Sequence, residues 1–485
     1  MPAPIDLASR AYREMREEGF EPNIPPAVES EMRRLPQHLP ADRHVEDLRH
    51  LPWTSIDNSD SRDLDQLEVV DVLPDGRTRL LVAIADVAAY VPLGSATDDF
   101  AHTNTTSVYT GVVTFPMLPH ELSTDLTSLL QGVDRLAIVT DFDVDRDGKI
   151  ESTAVYPAIV HNYARLDYDS LGDWIEGEAN VPEAIAHDET LIRQIQDQHD
   201  LAKRLQAVRQ RNGSLDFSSI EANPIVRDGQ VVGLAVPRKN QARMMIENFM
   251  VAANMALAGE LLDHGIPTIQ RVVRTPERWD RIVSVAAEYG TYLPAEPNAK
   301  ALSDFLHAQR QRDPLRFPDL SLTIVKLMGA GDYALVRPGE EQGHFGLAVS
   351  QYTHSTAPNR RYVDLVTQRI VKARLAGDPE PYSLDELEAI AEHCNERETA
   401  SRKVERRMRK LAAVNMLHDE IGRTFDAIVT GSSPKGVYVR VISPPVEGRV
   451  VRNEASMDVG DRVRVRLVST DAERGFIDFE GMKRT

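Results

Sequence analysis

Cysteine is almost absent: Cys394 is the only one in 485 residues, so no internal disulfide can form. Secreted chains of this size usually carry several bridges, and the composition therefore points to the cytoplasm and to a protein without a disulfide partner. No run of about 18 apolar residues occurs, and the opening MPAPIDLASRAYREMREEGF is polar and charged, with no apolar signal core. Neither secretion nor contact with a membrane is expected. Basic residues are in deficit, 56 Lys and Arg against 75 Asp and Glu, for a net charge of −19. That balance argues against coating a nucleic acid through bulk charge, yet leaves room for a locally basic channel. Repeats and low-complexity tracts are missing as well, and disordered and collagen-like classes are excluded. What remains is a soluble globular chain, 42% hydrophobic and 27% charged, long enough for two to four domains at roughly 100 to 200 residues each.

Residues 5–19 and 26–35 have helical spacing and are punctuated by Pro22, Pro25, Pro26, Pro36 and Pro40. Residues 1–50 thus read as a small helical unit, either a helix-turn-helix or a plain helical cap on the next domain. From residue 66 the pattern turns to strands. QLEVVDV and TRLLVAIADVAAYV flank Asp75-Gly76, and LAIVTDFDV and KIESTAVYPAIV flank Asp147-Gly148, so both pairs predict hairpins. A third hairpin, NPIVRDGQVVGLAV, lies between long amphipathic helices at 184–210 and 240–264, which end near Gly213 and Gly265. Further helices are expected at 276–289, 300–311, 360–376 and 384–420. The fold class is α+β, with one large mixed domain over residues 51–420. After Gly422, short strands separated by glycines predict an all-β OB-fold barrel over residues 421–485.

The chemistry concentrates in SIDNSDSRDLDQLE, residues 55–68, where Asp57, Asp60, Asp63 and Asp65 crowd ahead of a strand. Such carboxylates repel one another unless a cation neutralises them or water solvates them. Asp63 and Asp65 are two apart and project the same way from an extended backbone. Oxygen-only clusters suit Mg²⁺ or Mn²⁺ rather than zinc. Two such ions about 3.5 to 4 Å apart would activate a water and stabilise the leaving oxygen in phosphodiester hydrolysis. A calcium loop fits worse, because the sixth-position glycine and twelfth-position glutamate of an EF-hand are missing. Alone, the segment reads more readily as a solvated Asp-rich turn, the commoner state of such loops in acidic proteins.

The order of the remaining motifs separates these readings. SIDNSDSRDLDQLE, VAIADVAAYVPLGS, SVYTGVVTFPMLPHELSTDLTSL, NYARLDYDSL, MMIENFMVAAN, HFGLAVSQYTHSTAPNRRYVDLVTQR and the terminal barrel resemble, collinearly from about residue 50 to the end, the ribonuclease II (RNB) family of exoribonucleases. The resemblance implies a processive 3′-to-5′ exoribonuclease that threads single-stranded RNA into a channel and releases 5′-monophosphates. It uses one or two Mg²⁺ ions, for which Mn²⁺ can substitute. Carried over by position, Asp57, Asp63 and Asp65 are the catalytic carboxylates. The family usually has a fourth aspartate where this chain has Gln66, whose carboxamide oxygen can still ligate Mg²⁺ but binds one ion less tightly. Tyr109 and Phe217 match stacking aromatics for the terminal base; stacking is worth about 1 to 3 kcal/mol per base. Arg360 and Arg361, in APNRRYVDL, match a basic pair able to grip phosphate, placed in the first turn of the following helix. Glu247 matches a glutamate facing the RNA, whereas His344 reads as structural.

Residues 397–410 carry seven Lys or Arg against two Glu. On a helix Lys403, Arg407 and Lys410 share a face, either a track for phosphates or a solvated bridge. In the barrel, GVYVRV resembles an S1-type strand, with Tyr438 as its stacking residue and arginines at 449, 452, 462, 464 and 466. Residues 1–50 stand in place of the two cold-shock barrels that many family members carry, which implies a shorter or wider RNA entrance and further digestion of duplexes with a 3′ overhang. A channel within one chain implies a monomer. The competing class is an RNA-binding protein on the same scaffold without turnover, with Gln66 in its favour; a DNA exonuclease has no linear signature that separates it.

Overall fold

The computed structural model describes residues 6–35, 45–217, 223–227, 230–236, 238–340, 342–433, 436–454, 457, 459, 461–471 and 473–482. Its strands are β1 (Glu46–Asp47), β2 (Thr54–Asp57), β3 (Gln66–Val72), β4 (Thr78–Ala85), β5 (Val108–Tyr109), β6 (Thr114–Phe115), β7 (Asp134–Val144), β8 (Ile150–His161), β9 (Ala164–Asp167), β10 (Asn223–Arg227), β11 (Gln230–Ala235), β12 (Thr268–Val272) and β13 (Asp332–Val336). The helices are α1 (Leu7–Glu17), α2 (Pro26–Met32), α3 (Ala96–Asn104), α4 (Tyr168–Ile175), α5 (Glu189–Asn212), α6 (Gln241–Asp263), α7 (Trp279–Glu288), α8 (Ala299–Arg312), α9 (Phe317–Met328), α10 (Tyr362–Ala376) and α11 (Leu384–Leu417).

A seven-stranded sheet of order β1-β8-β7-β4-β3-β2-β9 forms the centre. The Asp-Gly turns close the β3–β4 and β7–β8 hairpins as expected. At the second turn Gly148 has φ +91°, and a Cβ there would meet the Arg204 carbonyl of α5 at 2.6 Å, so both the turn and the close approach require glycine. Both faces of the sheet are covered. Ile56, Val70, Leu80, Val82 and Ile84 pack with α5 and α6, and Leu67, Val69, Leu81, Ala83 and Ala85 pack with Trp53, Leu64 and Leu129. Coverage on both sides explains why β4 reads TRLLVAIA rather than as a clean alternation. The strand β9, parallel to β2 at the sheet edge, was not anticipated from sequence, nor were α3, α4 and α9.

The two N-terminal helices form. α1 lies along α11, burying Leu7, Ala11 and Met15 against Ala400, Val404, Met408 and Leu411. This contact corrects one reading of the basic stretch. Lys403 Nζ sits 3.3 Å from Glu18, Arg407 Nε 3.0 Å from Glu14, and Arg397 donates to the Glu18 and Gly19 carbonyls at 3.1 and 2.9 Å. These cations hold α1 in place rather than lining a phosphate track. α11 starts in a Ser383/Glu386 capping box. Its last turns supply Ala413, Val414 and Leu417 to the core of a closed five-stranded barrel. That barrel comprises β14 (Thr424–Ser433), β15 (Gly436–Val441), β16 (Glu447–Arg452), β17 (Arg462–Asp471) and β18 (Phe476–Gly481), matching an OB fold. Arg440 of β15 reaches Asp319 of α9 at 2.8 Å and ties the barrel to the main body. Among the described residues no helix is long and apolar enough to cross a membrane.

Candidate active site

β2 ends at Asp57 and β3 begins at Gln66, so the acidic loop hangs at one end of the central sheet. It is clamped from three sides. Arg165 of β9 donates to the Ser59 and Ser61 carbonyls, each at 2.7 Å. The Ser128 hydroxyl donates to Arg62 O at 2.7 Å and accepts from Leu64 N–H at 3.0 Å. Backbone bonds from Leu129 to Leu64 O and from Ala85 to Asp65 O, both 2.9 Å, complete the frame. Asp63 and Asp65 are therefore set by a fixed backbone rather than by a loose turn.

Asp65 is buried, and burial pushes its pKa up to about 7; Arg360 opposes the shift, Asp63 adds to it, and a hydrogen bond from Asn359 N–H offsets part. That N–H is 3.3 Å from Oδ1, and Arg360 Nε is 3.8 Å from Oδ2. Asp57 is also pushed up, first by burial, while the Asn58 N–H, 2.7 Å away, lowers it and Asp63 raises it. The Tyr109 hydroxyl donates to Asp63 Oδ2 at 3.4 Å, and burial with the Asp63 charge raises the phenol pKa. The segments that carry Tyr109 and Arg360 are stitched together by Ser107 N–H to Arg360 O at 3.0 Å and Tyr362 N–H to Thr105 O at 2.8 Å. Asp57, Asp63, Asp65, Tyr109 and Arg360, distant in sequence, thus share one place.

Two neighbours went unread in the sequence. Tyr168 opens α4 beside the loop, under the Arg243 guanidinium at 4.4 Å, and Arg243 also donates to Asn58 Oδ1 at 3.0 Å. Burial and then the Asp57 charge raise the Tyr168 pKa. Tyr168 lies within NYARLDYDSL and Arg243 just ahead of MMIENFM, but neither residue type stands out there.

Several expected roles change. Arg361 does not reach for a phosphate: its guanidinium is bidentate to Asp364, at 2.7 and 2.8 Å, and Asp364 is fully buried. α10 starts at Tyr362, so Arg360 lies ahead of the helix, not in its first turn, and Arg361 occupies the cap position. Arg361→Ala leaves a buried carboxylate uncompensated, which costs about 3 to 5 kcal/mol; a large drop in Tm is expected, and an unchanged Tm with weakened RNA binding would restore the phosphate role. Gln66 donates from Nε2 to the Ile56 carbonyl at 3.3 Å, leaving Oε1 as its only donor toward a cation. Phe217 packs against the cluster of Trp279, Phe305 and Phe317. Glu247, half exposed on α6, pairs with Arg209 at 3.2 Å. Tyr438 is 42% exposed on the barrel, opposite Arg449. His344 is structural as expected: it caps a short helical turn by accepting from Leu347 N–H at 3.1 Å, and burial holds its pKa down to about 4.

The site fits a divalent cation. Its donors are oxygen only, and burial leaves Asp57 and Asp65 short of positive charge, with Arg360 no nearer than 3.8 Å to Asp65. Their oxygens do not close on one point. Among the described residues the carboxylate triplet with oxygens within 4.8 Å of one another is Asp173, Glu176 and Glu178. Arg238 bridges all three, so a guanidinium already satisfies that cluster.

The comparisons with known proteins agree with this geometry. An RNB domain spans residues 45–377, and an RNase II-type exonuclease C-terminal S1 domain spans residues 423–481. Ribonuclease R of Thermotoga maritima is 30% identical over 465 residues, covering 89% of this chain and 64% of the relative. Ribonuclease R of Escherichia coli K12 is 29% identical over 494 residues, covering 94% of this chain and 60% of the relative. The chain thus spans 60 to 64% of the length of these curated relatives. Mycoplasma genitalium RNase R, solved with double-stranded RNA, superposes with a TM-score of 0.88 at 25% identity, over 98% of this chain and 83% of that one. With the RNB domain covering more than half its length and the S1 domain following it, this chain belongs to the RNB family.

Proposed function

We propose that this chain is a 3′-to-5′ exoribonuclease that hydrolyses single-stranded RNA processively to 5′-mononucleotides, with one or two Mg²⁺ ions for which Mn²⁺ can substitute. The observation that carries the reading is the convergence of Asp57, Asp63 and the buried Asp65 with Arg360 and Tyr109. RNB-family nucleases are metal-dependent, and when bound the ions activate water and stabilise the leaving oxygen. Asp57, Asp63 and Asp65 would hold them, with Gln66 Oε1 as a weaker donor. The residues do the rest. Arg360, 43% exposed beside Asp65, is free to grip the scissile phosphate, and a guanidinium balances charge that develops in the transition state. Tyr109 orients the 3′-terminal nucleotide over the carboxylates, and Phe217 and Glu247 would line its path from farther out. Tyr438 and the barrel arginines capture incoming single strands by stacking and charge. This division assigns residues 1–50 to a helical unit, 51–420 to catalysis and 421–485 to RNA capture, in a cytoplasmic monomer.

A binding protein without turnover is the second reading, favoured by the carboxamide at Gln66 and its bond to Ile56 O. Incubating 5′-labelled single-stranded RNA and the matching DNA with Mg²⁺ or with EDTA separates the two. Shortening of RNA alone to a small terminal fragment, and only with Mg²⁺, is expected. RNA that binds but stays whole even in Mn²⁺ overturns the nuclease.

A further inference from the structure

The strand that carries Gln66 also holds Glu68, an acidic residue that the expected roles leave unused. In β3 side chains alternate, so Gln66, Glu68 and Val70 share the face toward α5 and α6. Around Glu68 that face is built from Ile56, Val70, Leu80, Val82 and Ile84. Glu68 is fully buried, at 0% exposure, and neither of its side-chain oxygens has a hydrogen-bond partner. Thr54, its cross-strand partner, also has an unpartnered hydroxyl. A carboxylate sealed without a donor or a cation is among the most expensive groups a core can hold.

We propose that Glu68 is the fourth acidic ligand of the divalent-cation site, supplying beside Asp57 the carboxylate that Gln66 lacks. The inference rests on the metal-dependent reading above. Gln66 is the first residue of β3, at the site, and Glu68 is the next residue on the same face, about 7 Å further along the strand. Glutamate has one methylene more than aspartate, which lets a carboxylate reach back from the deeper position. Asp57 is the charged group that acts on Glu68, and the Tyr168 hydroxyl lies within electrostatic reach of both. A sealed carboxylate within electrostatic reach of a second one is compatible with folding only if a proton or a cation sits with it. A divalent ion between them satisfies both carboxylates. It also keeps the acidic count at the site at four, by moving one carboxylate along the strand.

The test reads metal directly, without turnover. Mn²⁺ is titrated into the intact, RNA-free protein and the free ion followed by electron paramagnetic resonance, for wild type, Asp57→Asn, Glu68→Gln, Glu68→Leu and Gln66→Asp/Glu68→Gln. Glu68→Gln and Glu68→Leu are expected to lose one tight Mn²⁺ or to bind it at least about tenfold more weakly, a loss that even an outer-shell change can produce. The double variant is expected to recover that binding. Glu68→Leu suits the apolar face and should raise Tm in EDTA, which shows that its lost binding is not misfolding. If both Glu68 variants bind Mn²⁺ like wild type while Asp57→Asn does not, Glu68 is a buried neutral acid and the proposal falls alone. If wild type binds no Mn²⁺, or Asp57→Asn binds it unchanged, the metal reading falls with it.

Discussion

Asp65→Asn lowers the rate of RNA shortening by at least about 10³-fold, more than the loss of a single neutral donor to a transition state, while single-stranded RNA still binds. The same substitution raises the Tm of the metal-free protein at pH 8. Both outcomes have their origin in one buried carboxyl. Its folded pKa of about 7 lies above the ordinary 3.8, so folding favours the protonated form. The stability this group contributes is therefore present below about pH 4 and is lost as pH rises through 7. Asparagine carries no charge and escapes that loss. Thermal melts in EDTA at pH 5 and pH 8 check the sign: wild type gives up more stability between them than Asp65→Asn does. A variant that melts lower than wild type at pH 8, or one that still degrades RNA at the wild-type rate, contradicts the assignment.

Arg360→Ala lowers kcat by about 10²- to 10³-fold with KM changed little, because the guanidinium meets charge that grows in the transition state. Its placement makes the effect separable from folding. The side chain is 43% exposed and meets Asp65 only at 3.8 Å, and the Asn359 N–H still bonds that carboxyl at 3.3 Å, so below about pH 7, where the buried acid can hold a proton, the change in Tm should be small. Arg360→Lys recovers part of the rate, since an ammonium supplies charge without the two-pronged geometry. Steady-state kinetics on a short single-stranded RNA decide the matter. A rise in KM with kcat unchanged would make Arg360 a general anchor for the backbone instead. The neighbouring arginine gives the contrast, since Arg361 is spent on Asp364 and its loss is read in stability.

How much of the fold is legible in the sequence depends on how local each signal is. The β3–β4 and β7–β8 hairpins are legible because Asp-Gly turns and strand alternation lie within a few residues of each other. The acidic loop is legible because its spacing and the collinear motifs sit on one stretch of text. Arg361 misleads because its partner, three residues on, closes a ring that only the helix start creates. Lys403 and Arg407 mislead because Glu18 and Glu14 meet them across almost the whole chain, and no pattern along a helix announces so distant a neighbour. Glu68 escapes notice for the opposite reason. In QLEVVDV it looks like the polar member of an alternating strand, but a sheet covered on both faces has no wet side for it.

The helix α11 runs 34 residues without a break, about 50 Å at 1.5 Å per residue. α1 grips it at Ala400, Val404, Met408 and Leu411, and the barrel grips it at Ala413, Val414 and Leu417. It therefore works as a drive shaft that keeps two attachments in phase. One extra residue between Ala412 and Ala413 would turn the barrel by about 100° and advance it about 1.5 Å. That rotation would part Arg440 from Asp319 and turn the exposed Tyr438 to a different bearing on the main body. Length changes here are tolerable only near whole numbers of turns, whereas the loops of the same chain can gain or lose residues singly. The angular setting of the barrel is thus inherited as a residue count.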